Sequence, residues 1–222
     1  MSESPARLQS RGRIARSPAR SLRIGIDFDN TLIGYDEVFC AAAQEHGLLD
    51  RGFIGTKQAV RDAIRLLPEG ELAWQRLQGH VYGKAIGAAV MFDGVSAFLR
   101  RCRETQCEVF IVSHKTELGQ HDPDRVNLRQ AALGWMEARG FFAPDGCAVP
   151  RQNVFFEATR AEKLARIAAL GCTHFIDDLA EVLADPAFPP GVTRVLFGSG
   201  GAAPDMAVCA TWWEIAEVVF DE

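Results

Sequence analysis

The chain lacks any apolar run long enough to cross a bilayer. Its longest apolar stretches, such as Val109–Val112, are far below the roughly 20 residues of a membrane-spanning helix, so no membrane anchor is expected. No apolar segment near the start has the form of a secretory signal. The six cysteines (Cys40, Cys102, Cys107, Cys147, Cys172, Cys209) are scattered, without a single CxxC pair. That spacing argues against a zinc site or a disulfide framework and suits reduced thiols in a cytoplasmic protein. Lysine is scarce, with four against twenty arginines.

Positive charge is also short. The formal net charge of the 222 residues is −5. Residues 1–23 hold six arginines and one glutamate, a balance of +5, so the rest of the chain carries −10. So acidic a globule is not expected to bind nucleic acid. Residues 1–21 are Arg- and Ser-rich without hydrophobic periodicity, and are read as a disordered basic extension.

From Arg23 onward, short apolar runs alternate with helical patterns. The first run, Arg23–Asp29, is a strand ending in acids. Helices are predicted over 36–47, 56–67, 70–81 and 83–91, with Val60, Ile64 and Leu67 on one face of the second. No strand is expected in that block. Helix 93–105, strand 107–113, helix 124–139, strand 153–157, helix 160–170, strands 173–178 and 193–198, and a closing helix at 212–220 follow. Strands that are apolar throughout and separated by helices imply a parallel sheet covered on both faces. The expected architecture is an α/β, Rossmann-like doubly wound sheet. Its core comprises 22–33 and 91–222, with a small helical cap inserted at 34–90.

In such sheets ligands bind beyond the carboxyl ends of the strands, and there the chemistry-bearing residues fall. Asp27 and Asp29 sit two apart on an extended segment and so face one side. Two such carboxylates repel unless a cation lies between them or one is protonated. Ser113 ends the second core strand. Thr159-Arg160-Ala161-Glu162 is a capping box that opens a helix carrying Lys163, the single lysine of the last hundred residues. The strand 173–178 ends in Asp177 and Asp178. Converging carboxylates with one lysine describe a site for a hard cation with oxygen ligands.

These four segments, IDFDNT, IVSH, Lys163 and FIDD, resemble in order and placement the four motifs of the haloacid dehalogenase-like (HAD) superfamily, and the helical block fits that family's small C1-type cap. The resemblance implies a phosphomonoester hydrolase acting on a small phosphorylated metabolite through an aspartyl-phosphate. It implies Asp27 as nucleophile, Asp29 as acid and base, and Ser113 and Lys163 as phosphoryl holders. It implies Mg²⁺ on Asp27, the Asp29 backbone carbonyl, Asp178 and, indirectly, Asp177. An acid at position 29 fits phosphatases and some phosphomutases, whereas the family's dehalogenases lack one. A phosphomutase and a catalytically retired binding domain are the alternatives.

Substrate contacts are expected from Thr31, His114, Lys115 and Lys84. Further candidates are Lys57, Arg61, Arg65, Trp74, His80 and Tyr82 in the cap, and His121 in the loop after Ser113. His46 and His174 are read as structural, and Gly198–Pro204 as a rim loop.

Overall fold

The computed structural model describes residues 21–198 and 205–220. The basic N-terminal extension and, apart from Gly198, the expected rim loop lie outside the described residues.

The chain runs β1 (Arg23–Ile26), β2 (Ile33–Gly34), α1 (Asp36–Glu45), α2 (Lys57–Arg65), α3 (Gly70–Tyr82), β3 (Val90–Met91), α4 (Val95–Glu104) and β4 (Glu108–His114). It continues through α5 (Leu128–Ala138), β5 (Val154–Glu157), α6 (Arg160–Ala169), β6 (His174–Asp177), α7 (Ala180–Leu183), β7 (Thr193–Phe197), β8 (Met206–Cys209) and α8 (Trp212–Phe220). Six strands form one parallel sheet in the order β5-β4-β1-β6-β7-β8. Counted among themselves, these strands have the 3-2-1-4-5-6 order of doubly wound nucleotide-binding sheets.

Side-chain alternation divides the core in two, as a sheet buried on both faces requires. Ile24, Ile26, Val109, Ile111, Ile176 and Val195 pack with α4, α5 and α8. Their neighbours Phe110, Val112, Phe175 and Leu196 point the other way, against α6 and α7. In β1 the second face is represented by Gly25, which pairs with Phe175 of β6. A Cβ on Gly25 would lie 2.5 Å from the Phe175 ring and 3.0 Å from the Cys172 sulfur. Gly25→Ala should therefore lower stability by about 1–3 kcal/mol, the usual cost of overpacking, visible as a fall of several degrees in Tm. An unchanged melting curve would mean the Phe175 ring yields freely.

The structure departs from the sequence reading at several places, among them the short helix α7, which no pattern announced. The helix predicted over 83–91 does not form. The helix α3 stops at Tyr82, a single 3-10 turn spans Ile86–Ala88, and β3 pairs antiparallel with β2 to close the base of the helical insertion. Two-residue strands carry no periodicity to read. The helix expected from 124 starts only at Leu128. The Asp122 carboxylate accepts from the Asp124 and Val126 amides, holding that stretch in a turn, and the Asn127 side chain caps the helix. Finally, β8 adds an edge strand where none is expected.

Candidate active site

The sheet order reverses beside β1, so β1 and β6 flank the crevice where such folds bind ligands. The two strands end in register, and the Asp27 amide donates to the Ile176 carbonyl at 2.9 Å. This sets Asp27 beside Asp177 and Asp178. Carboxylate oxygens of the three lie within 4.8 Å of one another. Phe28, between the two acids of the first segment, turns into the core and packs edge-on against Trp135.

Lys163 reaches the cluster because the capping box fixes the first turn of α6. The Thr159 hydroxyl accepts from the Glu162 amide, and the Glu162 carboxylate accepts from the Thr159 amide. The Lys163 ammonium donates to Asp27 at 2.6 Å and to Asp177 at 2.7 Å, with all three side chains almost wholly buried. Burial alone would favour loss of its proton, but Asp27 and Asp177 outweigh that effect and raise its pKa.

One ammonium does not balance the site. Burial pushes the Asp27 carboxyl up to about 8 despite Lys163, and Asp177, Asp178 and Asp29 add to the rise. Burial followed by repulsion from Asp177 lifts Asp178 to about 6. Once ionised, three carboxylates against one ammonium would carry two excess negative charges in a largely dry pocket, a charge that one divalent cation offsets.

Asp29 stands apart from this cluster. Its Oδ1 accepts from the Tyr35 hydroxyl at 2.6 Å, and its Oδ2 pairs with the buried Lys115 ammonium at 2.7 Å. That ammonium also lies over the Tyr82 ring, 4.8 Å from its centroid. Burial, then the Asp29 charge, hold both phenols well above the usual tyrosine range, so both keep their protons. Both tyrosines of the chain thus belong to this site.

Two cavities meet here. The smaller, about 430 Å³, is lined by Asp27, Asp29, Ser113, His114, Lys163 and Asp178, among others. The larger, about 950 Å³, opens between the helical insertion and the sheet, where Lys57, Arg61, Arg65, Trp74 and Tyr82 form part of its wall. Asn30, Lys57, Tyr82, Asp178 and Leu179 border both.

Some expected contacts are placed elsewhere. Thr31 is fully buried, with its hydroxyl accepting from the Asp178 amide at 3.1 Å, so it braces β1 to β6 rather than meeting a ligand. The reversal at Asn30, which has φ of 58°, turns it that way. Lys115 is held by Asp29, and Lys84 pairs with Asp124 at the surface; neither lines either of these two cavities. Among the cap candidates His80 packs against His46 instead, and His121 also lies away from both cavities. His174 is buried beside the Thr173 hydroxyl. The sequence reading misses Tyr35 and Asn30. Asparagine's tolerance of the left-handed conformation was the available signal for the latter.

No protein-family model and no curated protein sequence matches the chain. Solved structures do match. A HAD family hydrolase from Deinococcus radiodurans with bound phosphate and sodium shares 16% identity, with a TM-score of 0.55 over 90% of this chain and 95% of that one. Protein Tyrosine Kinase A from Mycobacterium tuberculosis shares 16%, with a TM-score of 0.60 over 91% and 100%. An L-2-haloacid dehalogenase shares 16%, with a TM-score of 0.56 over 90% and 99%. These proteins carry different activities in their names, so the likeness concerns architecture and leaves the reaction to the site itself. Sheet order, acid placement and these matches agree: the chain has the fold of the haloacid dehalogenase-like hydrolases.

Proposed function

We propose that the protein is a Mg²⁺-dependent phosphomonoester hydrolase acting on a small phosphorylated metabolite. The observation that carries this reading is the uncompensated pair of negative charges where Asp27, Asp177 and Asp178 converge on Lys163. All the donors are hard oxygens. One oxygen from each acid lies within 4.8 Å of the others, so a single cation could be shared among them. Asp27 and Asp178 would hold the ion. Asp177, bonded to Lys163 and to the Leu179 amide, would orient the ammonium and the turn that carries Asp178. When bound, Mg²⁺ supplies the positive charge that lets an anionic nucleophile approach a dianionic ester.

In this reading an Asp27 oxygen attacks phosphorus and the ester oxygen leaves with a proton from Asp29. Water then attacks the resulting acyl phosphate and returns a proton to Asp29, releasing phosphate and free Asp27. Ser113 and Lys163 hold phosphoryl oxygens in the smaller cavity. Tyr35 and Lys115 each take one lone pair of an Asp29 oxygen, which leaves a lone pair on each oxygen to carry the transferred proton. An acid at position 29 favours phosphoryl over carbon–halogen chemistry.

A phosphate-release screen over sugar phosphates, nucleotides, polyol phosphates and phosphorylated acids, with Mg²⁺ or EDTA, tests the reading. Release should need Mg²⁺; a purified sample inert towards every ester, whichever divalent ion is supplied, would refute it. Stability gives a second readout. Asp27 titrates near 3.8 in its ordinary state and near 8 when folded, so between those values the folded protein keeps a proton the unfolded chain has lost. Under EDTA, Tm should therefore fall as pH rises through that window, and Mg²⁺ should raise it most at the alkaline end. A metal-free Tm that climbs with pH would contradict the charge balance.

A further inference from the structure

Three of the four lysines are ion-paired: Lys84 with Asp124, Lys115 with Asp29, and Lys163 with Asp27 and Asp177. The fourth, Lys57, forms no ion pair among the described residues. It stands at the first position of α2, bordering both cavities. Its ammonium lies 5.5 Å from the Tyr82 ring centroid and 5.9 Å from that of Phe39. Its charge is also felt at Asp178, where it opposes the upward shift of that acid.

One helical turn further, Arg61 lines the larger cavity from the same face of α2. Residues four apart share a face, with Cα atoms about 6 Å apart along the axis. Arg61 pairs only with its neighbour Asp62, in an exposed contact of the kind that water screens. The row stops at Arg65, which is bound by both oxygens of Glu71. The other nearby acids are Asp36, whose carboxylate accepts from the Lys57 amide, and Glu37 at the rim. The positive charge on the cap side that no buried or bidentate pair neutralises is thus concentrated at Lys57 and Arg61.

From this juxtaposition we infer that the larger cavity binds a second anionic group, and that the substrate is a phosphoester with an anion at its far end, either a carboxylate or another phosphate. The inference rests on the phosphohydrolase reading for the placement of the transferred group. Asp27, Ser113 and Lys163 take that phosphoryl group in the smaller cavity, and Lys57 at the junction, with Arg61 in the wall of the larger cavity, takes the second anion. Charge-assisted hydrogen bonds from two cations in a partly dry pocket separate such a ligand from its neutral counterpart by about tenfold or more.

Matched probes test this. 3-Phosphoglycerate and glycerol 3-phosphate share a skeleton but differ in a carboxylate, and fructose 1,6-bisphosphate and fructose 6-phosphate differ in a phosphate. With Mg²⁺, kcat/KM should favour an acidic probe over its partner by about tenfold or more, and the pair that discriminates identifies the anion. Lys57→Met, which keeps the apolar stem over the two rings, and Arg61→Met should each shrink that ratio by about tenfold, while Lys57→Arg retains most of it. Calorimetric titration of the same probes into Asp27→Asn reads the preference without turnover. A ratio near one in the parent, or one that neither variant moves, overturns the second-anion site. If p-nitrophenyl phosphate is still hydrolysed in that case, the phosphohydrolase reading stands. If no probe is hydrolysed but Asp27→Asn binds the acidic member more tightly, and Lys57→Met abolishes that preference, the anion site stands and the hydrolytic reading falls.

Discussion

Asp27→Asn should lower Mg²⁺-supported phosphate release by about four orders of magnitude or more, the scale of losing a covalent nucleophile. The neutral amide neither attacks phosphorus usefully nor offers a full charge to a cation. The fold should not suffer. Asp27 is one of three carboxylates balanced by one ammonium, and burial already drives it toward the neutral form. An asparagine oxygen still accepts from Lys163, while Asp177 keeps that ammonium paired. In EDTA the variant should melt no lower than the parent. Steady-state phosphate release and a melting curve measured together give the decision: turnover at a tenth of the parent rate would remove Asp27 from the nucleophile's place, whatever the Tm.

Lys163→Met should have the opposite profile, with a large effect on stability as well as on turnover. It leaves Asp27 and Asp177 buried without their shared donor. Breaking a buried pair by removing one partner costs about 3–5 kcal/mol, which at this length is roughly 6–20 °C in Tm. Acid should soften the loss, because protonating Asp27 and Asp178 relieves their repulsion, and each has a pKa raised by burial. Mg²⁺ should soften it too, by mass action on the folded state. Thermal melts at pH 5 and 8, with EDTA or Mg²⁺, check both statements. A variant as stable as the parent at pH 8 in EDTA would show that the acid cluster does not depend on the ammonium.

The legible parts of the site were those with a local pattern. Asp27 and Asp177–Asp178 stood out because each ends an apolar run, and apolar runs between helical patterns predict parallel strands whose ends share a rim. Lys163 was legible through its capping box, a signal only four residues long. Lys115 was singled out as a substrate contact, but its partner was not legible, since a lysine in a polar loop looks solvated and nothing local announces its burial against Asp29 and Tyr82. Thr31 is the opposite case. Its place in the D-x-D-x-T string suggests a pocket residue, but the left-handed turn at Asn30 aims it at the Asp178 amide. The helix expected over 83–91 failed because the pairing of Val90 and Met91 with Ile33 and Gly34 depends on residues nearly sixty positions away.

The sequence by itself determined the order of five of the six strands of the main sheet, the burial of both sheet faces and the acids at the strand ends. These follow from periodicities of two and 3.6 residues and from caps a few positions long. Only the tertiary structure decided which charges are balanced. It paired Lys115 with Asp29, gave Lys163 to Asp27 and Asp177, and left Lys57 without an ion pair at the junction of two cavities. Pairing depends on distances of a few ångströms between residues up to 136 positions apart, and such distances exist only once the sheet has closed around them.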